Sequence, residues 1–288
     1  MADIKIDGVQ GSLTQRIHRV YGSLPDSERK AADFILDSPG ELAALAANEL
    51  AEQVGISNAT VSRFFRRLGF ASFEAARRAS RAMRASGSPL YLARTAKGSR
   101  DGAAISKDLA AETQLIEMSL SMQNPLTMEA VAEAFAKARK VRVAGFRNSY
   151  FVASYACTTL TQFRRDVAML NPAGQTLAES ISELGPGDVV LVVGLRRRPK
   201  GFVEFIRALA ATGADVVLLA DRSIREAPAA ARWNLRCAVE MPQLLDSYVG
   251  ALAVMRLLAL ETMRHLGTEA RRRLDDIESI HEALSELE

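Results

Sequence analysis

With 288 residues, 48% of them hydrophobic and 25% charged, the chain holds enough apolar material for one large core or two modest ones, which excludes a mainly disordered polymer. Its net charge of +3 is small, so where the basic residues stand matters more than how many there are. Two cysteines far apart in sequence, Cys157 and Cys237, fit buried thiols better than a disulfide framework, and no apolar run of about 18 residues argues for a membrane span.

The opening MADIKIDGVQ lacks a charged stretch followed by an apolar run, so a soluble cytoplasmic protein is expected. The first eighty-five residues are helix-patterned. Pro25 and Asp26 open one helix, Ser38-Pro39-Gly40 closes it, and Ala31, Phe34 and Ile35 form its apolar stripe. In NELAEQVGISNATVSRFFRRLGF, Leu50, Ala51 and Val54 make the inner face of one helix, Gly55 supplies a turn, and Ser57 is placed to cap the next. On that second helix Val61, Phe64, Phe65 and Leu68 recur at helical spacing and face the core. Asn58, Ala59, Ser62, Arg63 and Arg66 are left outward, with Arg67 at the margin.

Small and amide side chains near a helix start, with arginines one and two turns on, suit base edges first and phosphates afterwards. The candidate contacts to a double-stranded DNA operator are therefore Ser57, Asn58, Thr60, Ser62, Arg63, Arg66 and Arg67. An ordinary solvated face is the competing explanation, but such faces mix signs. Here Ser57 to Arg84 carries seven arginines against one acid, Glu74.

After Arg84 the run ASGSPLYLARTAKGSRDGAA breaks every periodicity, so residues 85–104 are expected to link a helix-turn-helix domain over 1–84 to a second domain over 105–288. Beyond it, apolar runs at 141–145, 166–170, 188–194, 214–221 and 235–241 alternate with helical segments at 149–163, 174–184 and 199–212. That alternation predicts an α/β three-layer domain around a parallel sheet, prefaced by a helix over 105–122 and followed by helices over 244–266 and 270–287. Leu274, Ile277, Ile280, Leu284 and Leu287 give the final helix an apolar seam, to be covered by a second copy of the chain or by its own domain.

The stretch LAEQVGISNATVSRFFRRLGF, with SLPDSERKAADFILDSPGEL before it and SFEAAR after it, resembles the N-terminal domain of the RpiR family of bacterial transcription regulators over about residues 13–84. The resemblance implies dimeric binding to palindromic operators and a C-terminal sugar-isomerase-like (SIS) domain, which the strand and helix alternation matches. It also implies an effector pocket for a small anionic metabolite such as a sugar phosphate, and a homodimer or homotetramer. In GFRNS, Ser149 matches the family's phosphate-binding serine, whereas Arg147 stands where many relatives carry glycine; Asn148 lies between them. In GLRRRPKG, Gly194 and Arg196 replace the two serines of the second loop. Arg196, Arg197, Arg198 and Lys200 either hold an anion by charge-assisted bonds or decorate a surface loop. Asp221 and Ser247 lie at further expected pocket edges, although each would equally serve as a local cap.

A SIS-type domain can also interconvert aldose and ketose phosphates, which requires a positioned base. His18, His265 and His281 fall away from the expected strand ends, and Glu179, Glu183 and Glu204 are conceivable bases that nothing sets apart. A regulator rather than an enzyme is expected, with isomerase as the alternative. No dinucleotide or P-loop fingerprint and no metal-ligand spacing is present, so neither cofactor nor metal is expected.

Overall fold

The computed structural model describes residues 12–85, 102–170, 174–224, 227–241 and 245–286. The chain divides into two units, one holding residues up to 100 and the other most of the remainder from 101. Each folds around a core of its own.

The first unit is helical: α1 (Leu13–Val20), α2 (Asp26–Asp37), α3 (Ala47–Val54), α4 (Asn58–Arg67) and α5 (Phe73–Ala85). Ser12 opens α1 with a capping box shared with Gln15. Pro25 precedes α2, where its missing N–H costs nothing, and Asp26 and Glu28 sit in the first turn, where the helix dipole favours acids. Ile17, Ile35, Leu42, Leu50, Val61, Phe64, Phe65 and Leu68 are buried together, and Phe65 meets Phe64 and Phe73 edge to face.

The second unit opens with α6 (Gly102–Ser121) and α7 (Pro125–Lys137). The expected linker, 85–104, is trimmed at both ends by α5 and α6, and its residues 86–101 lie outside the described set. Helix α7 was not foreseen, although its signal is present: the Asn124 side chain accepts the Thr127 N–H at 3.1 Å, and Pro125 occupies the first helical position.

Then come β1 (Val141–Gly145), α8 (Ser149–Phe163), β2 (Val167–Met169), α9 (Leu177–Ser182), β3 (Val189–Gly194), α10 (Phe202–Ala211), β4 (Asp215–Asp221), β5 (Trp233–Cys237), α11 (Val249–Leu266) and α12 (Thr268–Leu284). All five strands are parallel, in the order β2-β1-β3-β4-β5. Alternate side chains of β3 divide between two cores. Val189, Leu191 and Val193 pack with α7, α8 and α11, while Val190 and Val192 pack with α10. The expected three-layer α/β architecture is thus present, and no residue of β3 reaches solvent.

The last strand ends earlier than its apolar run. Beyond Cys237 the Ala238 N–H donates to Ser119 Oγ at 3.0 Å, and the Val239 carbonyl accepts the Ser247 N–H at 3.0 Å. Backbone groups diverted in this way cannot extend a ladder, and the same contact delays α11 to Val249. In α12, Leu274 packs on its own domain, whereas Ile280 is 56% and Leu284 63% exposed; Leu287 lies outside the described residues. Among the described residues no helix is long and apolar enough to cross a membrane.

Candidate functional site

In the first unit, α3 stops at Gly55, whose φ of 67° lies in the left-handed region that a Cβ disfavours. Two residues later Ser57 caps α4, its Oγ accepting the Thr60 N–H at 3.1 Å. Burial of Val61, Phe64, Phe65 and Leu68 then fixes the rotation of α4. Ser57, Asn58, Ala59, Ser62, Arg63, Arg66 and Arg67 are exposed, in agreement with the spacing.

Thr60 requires a correction. Its side chain is only 6% exposed, and Oγ1 lies 2.9 Å from Ser57 Oγ while accepting Arg63 Nη2 at 3.2 Å. It belongs to the cap and exposes little surface. The arginine excess also divides by role. Arg77 and Arg81 donate to the carbonyls of Leu45 and Ala43, and so hold the turn before α3. Arg16 donates to the Leu68 carbonyl at 3.2 Å and lies 4.4 Å over the Phe70 ring, which secures the end of α4. Arg67, at the margin of the outward face, is held through Nε by Glu28 Oε2 at 2.8 Å.

In the second unit the strand order turns at β1 and β3, with α8 on one side of the sheet and α10 on the other. That turning point, outside the carboxyl ends of the strands, is where doubly wound folds take ligands. The loop after β1 places Arg147 in the left-handed region, φ 56°, with Asn148 beside it. Both are exposed, and Asn148 Nδ2 lies 3.4 Å from Tyr248 Oη. Ser149 begins α8 but is buried, and its Oγ accepts the Leu195 N–H at 3.2 Å. The serine therefore ties the two loops together and keeps its own hydroxyl proton for a further partner.

The loop after β3 differs from a row of free cations. Arg198 Nη1 donates to the Gly194 carbonyl at 2.8 Å and to Asp221 Oδ1 at 2.7 Å, while Nη2 donates to Ser223 Oγ at 2.8 Å. Asp221 Oδ2 in turn accepts the Ser223 N–H at 2.9 Å. Arg198 and Asp221 thus satisfy one another beneath the surface. Arg196 also turns inward, its side chain 4% exposed and 3.6 Å from Glu240 Oε1. Ser247 is engaged as well, donating to Glu112 Oε2 at 2.6 Å and accepting the Val249 N–H at 3.4 Å. The exposed members of the predicted set at this edge are Arg147, Asn148, Arg197 and Lys200. Arg197, like Arg147, has a left-handed backbone, φ 63°.

The conceivable bases are scattered. Thr176 donates its N–H and hydroxyl to Glu179, which holds that carboxyl below the usual range and makes it a helix cap. Glu204 borders a mainly apolar groove of about 630 Å³ between α9 and α10, with Leu177, Ile181 and Phe205. His265 sits at the far end of α11 from Tyr248, and His281 pairs with Glu286 at 2.8 Å on α12. Both cysteines are free thiols, and burial pushes Cys237 up to about 12. Among the described residues no cluster of His, Cys, Asp and Glu has the form of a metal site. Glu28 was not foreseen as part of either site. Its only sequence signal is an acid in the first turn of α2, which the helix dipole already explains.

Comparison with known proteins divides the chain as its fold does. A model of the helix-turn-helix domain of the rpiR family matches residues 11–81, and a model of the SIS domain matches residues 134–261. The chain is 23% identical over 266 residues to the HTH-type transcriptional regulator HexR of Pseudomonas aeruginosa, covering 92% of this chain and 91% of that one. It is 26% identical over 208 residues, 70% of this chain and 72% of the relative, to an uncharacterized HTH-type transcriptional regulator of Caldanaerobacter subterraneus. Among solved structures, the Vibrio vulnificus NanR protein complexed with ManNAc-6P aligns at a TM-score of 0.57 and 17% identity over 95% of this chain and 99% of its own. The sugar isomerase domain of an RpiR transcription factor from Sphaerobacter thermophilus aligns at 0.57 and 24% identity, over 61% of this chain and 98% of its own. These two likenesses show the fold.

Proposed function

Since the chain belongs to the RpiR-type family of regulators that join a helix-turn-helix domain to a SIS domain, we propose that it binds a DNA operator through α4 and that a small anionic metabolite, held where β1 and β3 diverge, modulates that binding. The observation that carries the DNA half is the outward face of α4, where Asn58, Ser62, Arg63 and Arg66 are exposed together and no acid interrupts them. Short polar side chains at the helix start reach base edges, and arginines further along meet phosphates or a guanine edge.

The anion half is supported by exposed Arg147, Arg197 and Lys200 in the two loops that Ser149 ties together at the start of α8, where the helix dipole favours negative charge even though the first N–H groups are taken by loop carbonyls. NanR, with the same fold, is described in complex with a sugar phosphate, so that class is the first to test. Ser149 retains a hydroxyl proton for such a ligand, while charge replaces the hydroxyls of the second loop. The metabolite acts by binding the DNA-competent and incompetent states with different affinity, since equal affinity shifts nothing. The working assembly is a homo-oligomer, matching two operator half-sites.

Arg63→Ala is expected to weaken operator binding by about 1–3 kcal/mol, measured by titration of a labelled duplex at fixed salt. Unchanged affinity would remove α4 from the interface. Turnover of aldose or ketose phosphates without DNA binding would make the chain an isomerase instead.

A further inference from the structure

We infer that Glu28, on α2, is a positioning residue for the DNA-facing surface: it anchors Arg67 through Nε so that the guanidinium end is presented beside Arg63 and Arg66. This rests on the proposal that α4 enters DNA. Glu28 is a charged side chain that is only 5% exposed, a state rare for carboxylates unless they are paired, and its ion-pair partner is Arg67 at 2.8 Å. Arg67 nevertheless keeps 45% of its side chain exposed. The planar guanidinium therefore has one edge fixed on the protein and its terminal N–H donors open to an outside anion.

The residues around this pair point the same way. Arg67 is the last residue of α4, and Arg16 secures the carbonyl of the following residue, Leu68. Glu28 is a residue of α2, the helix whose Ile35 shares the core with Val61 and Phe64 of α4. The carboxylate is therefore carried on a helix that the core fixes against α4. Ordering a free arginine on binding costs conformational entropy, and an anchored one has already met that cost.

Electrostatics alone predicts the opposite outcome. Removing a carboxylate beside a basic DNA face raises the local positive charge and should tighten binding. Anchoring predicts weaker binding. The test uses the full-length protein and a duplex that the wild type recovers from a random-sequence pool, with affinity measured across a salt series. Glu28→Met fills similar space without an acceptor and is expected to weaken binding about three- to tenfold, the factor associated with ordering one long side chain. Glu28→Gln, whose amide oxygen can still accept from Nε, is expected to recover most of that loss. Arg67→Ala weakens binding and lowers the salt slope by about one, and adding Glu28→Met to it has no further effect.

Arg67→Lys keeps the charge but lacks the fork, so it should fall with Arg67→Ala; this arm decides the matter if Glu28→Met does not fold. Binding by Glu28→Met as tight as or tighter than wild type, or wild-type binding by Arg67→Lys, overturns the positioning role. If the wild type recovers no duplex, or Arg63→Ala binds as the wild type does, the DNA proposal itself falls, and this inference with it.

Discussion

The two arginine clusters of this chain look alike in sequence and differ in what answers their charge. On α4, Arg63 and Arg66 lie on an exposed face without a carboxylate, while the loop after β3 has supplied its own counter-charges, Asp221 for Arg198 and Glu240 for Arg196. A run of arginines signals that an anion is needed, but not whose anion it is. In the first case only Arg67 has an internal partner, Glu28, and the proposed operator would supply the remaining anions. In the second the anion is largely internal, and the cations left for a ligand are Arg197 and Lys200, with Arg147 from the neighbouring loop.

The sharpest way to break this contrast is to remove an internal counter-charge. Asp221→Asn leaves the Arg198 guanidinium beneath the surface without its carboxylate, and removing one partner of a buried pair costs about 3–5 kcal/mol. Unfolding of the second unit can be followed through Trp233, the only tryptophan of the chain, on the strand next to β4. A loss under about 1 kcal/mol would mean that Arg198 and Asp221 are loosely held, and the loop would return to the class of open cation clusters.

A smaller effect tests the other region. Ser57→Ala removes the cap of α4 and should cost about 1 kcal/mol of stability in the first unit. Ser57→Asp separates the cap from the contact, because aspartate caps as well as serine and complements the helix dipole, yet brings a negative charge toward phosphates. Stability restored with DNA binding weakened is the expected pair of results. Both restored together would place the helix start away from DNA.

What the sequence made legible follows from the range of the interactions involved. Local signals placed the cap at Ser57, the turn at Gly55 and the inward face of Val61, Phe64 and Phe65, because each depends on neighbours within a turn or two. Strands β3 and β4 were readable because a strand buried on both faces is a continuous apolar run, whereas the outer strands β2 and β5 are half-exposed and gave a weaker signal. Partners distant in the chain were not readable. Glu28 lies 39 positions from Arg67, Asp221 lies 23 from Arg198, and Ser247 lies 135 from Glu112. No periodicity encodes such pairs, so the engagement of Asp221 by Arg198 and of Ser247 by Glu112 was not readable, whereas Thr60, whose partners Ser57 and Arg63 stand three residues away, was a local signal missed. Helix α7 was missed although its Asn-Pro start is local, and its burial of Val131 and Phe135 gives it the expected stripe.

The smallest predicted effect concerns the backbone of the two loops. Arg147 and Arg197 both occupy left-handed conformations, which cost a residue with a Cβ about 1 kcal/mol or more. Glycine at either position removes that strain, but it also gives the unfolded chain more freedom, worth about 0.5–1 kcal/mol in the opposite direction. The two terms nearly cancel, so Arg147→Gly should change stability by less than about 0.5 kcal/mol. Its effect on the effector response should be far larger, because the substitution deletes one of the exposed cations at the carboxyl end of the sheet while leaving the loop conformation accessible. A sugar-phosphate titration of DNA binding should then require a higher concentration for the same response, and Arg147→Lys should require less. If Arg147→Gly responds as the wild type does, the charge at that position is idle, and the left-handed arginine records only that the turn tolerates a side chain pointing into solvent.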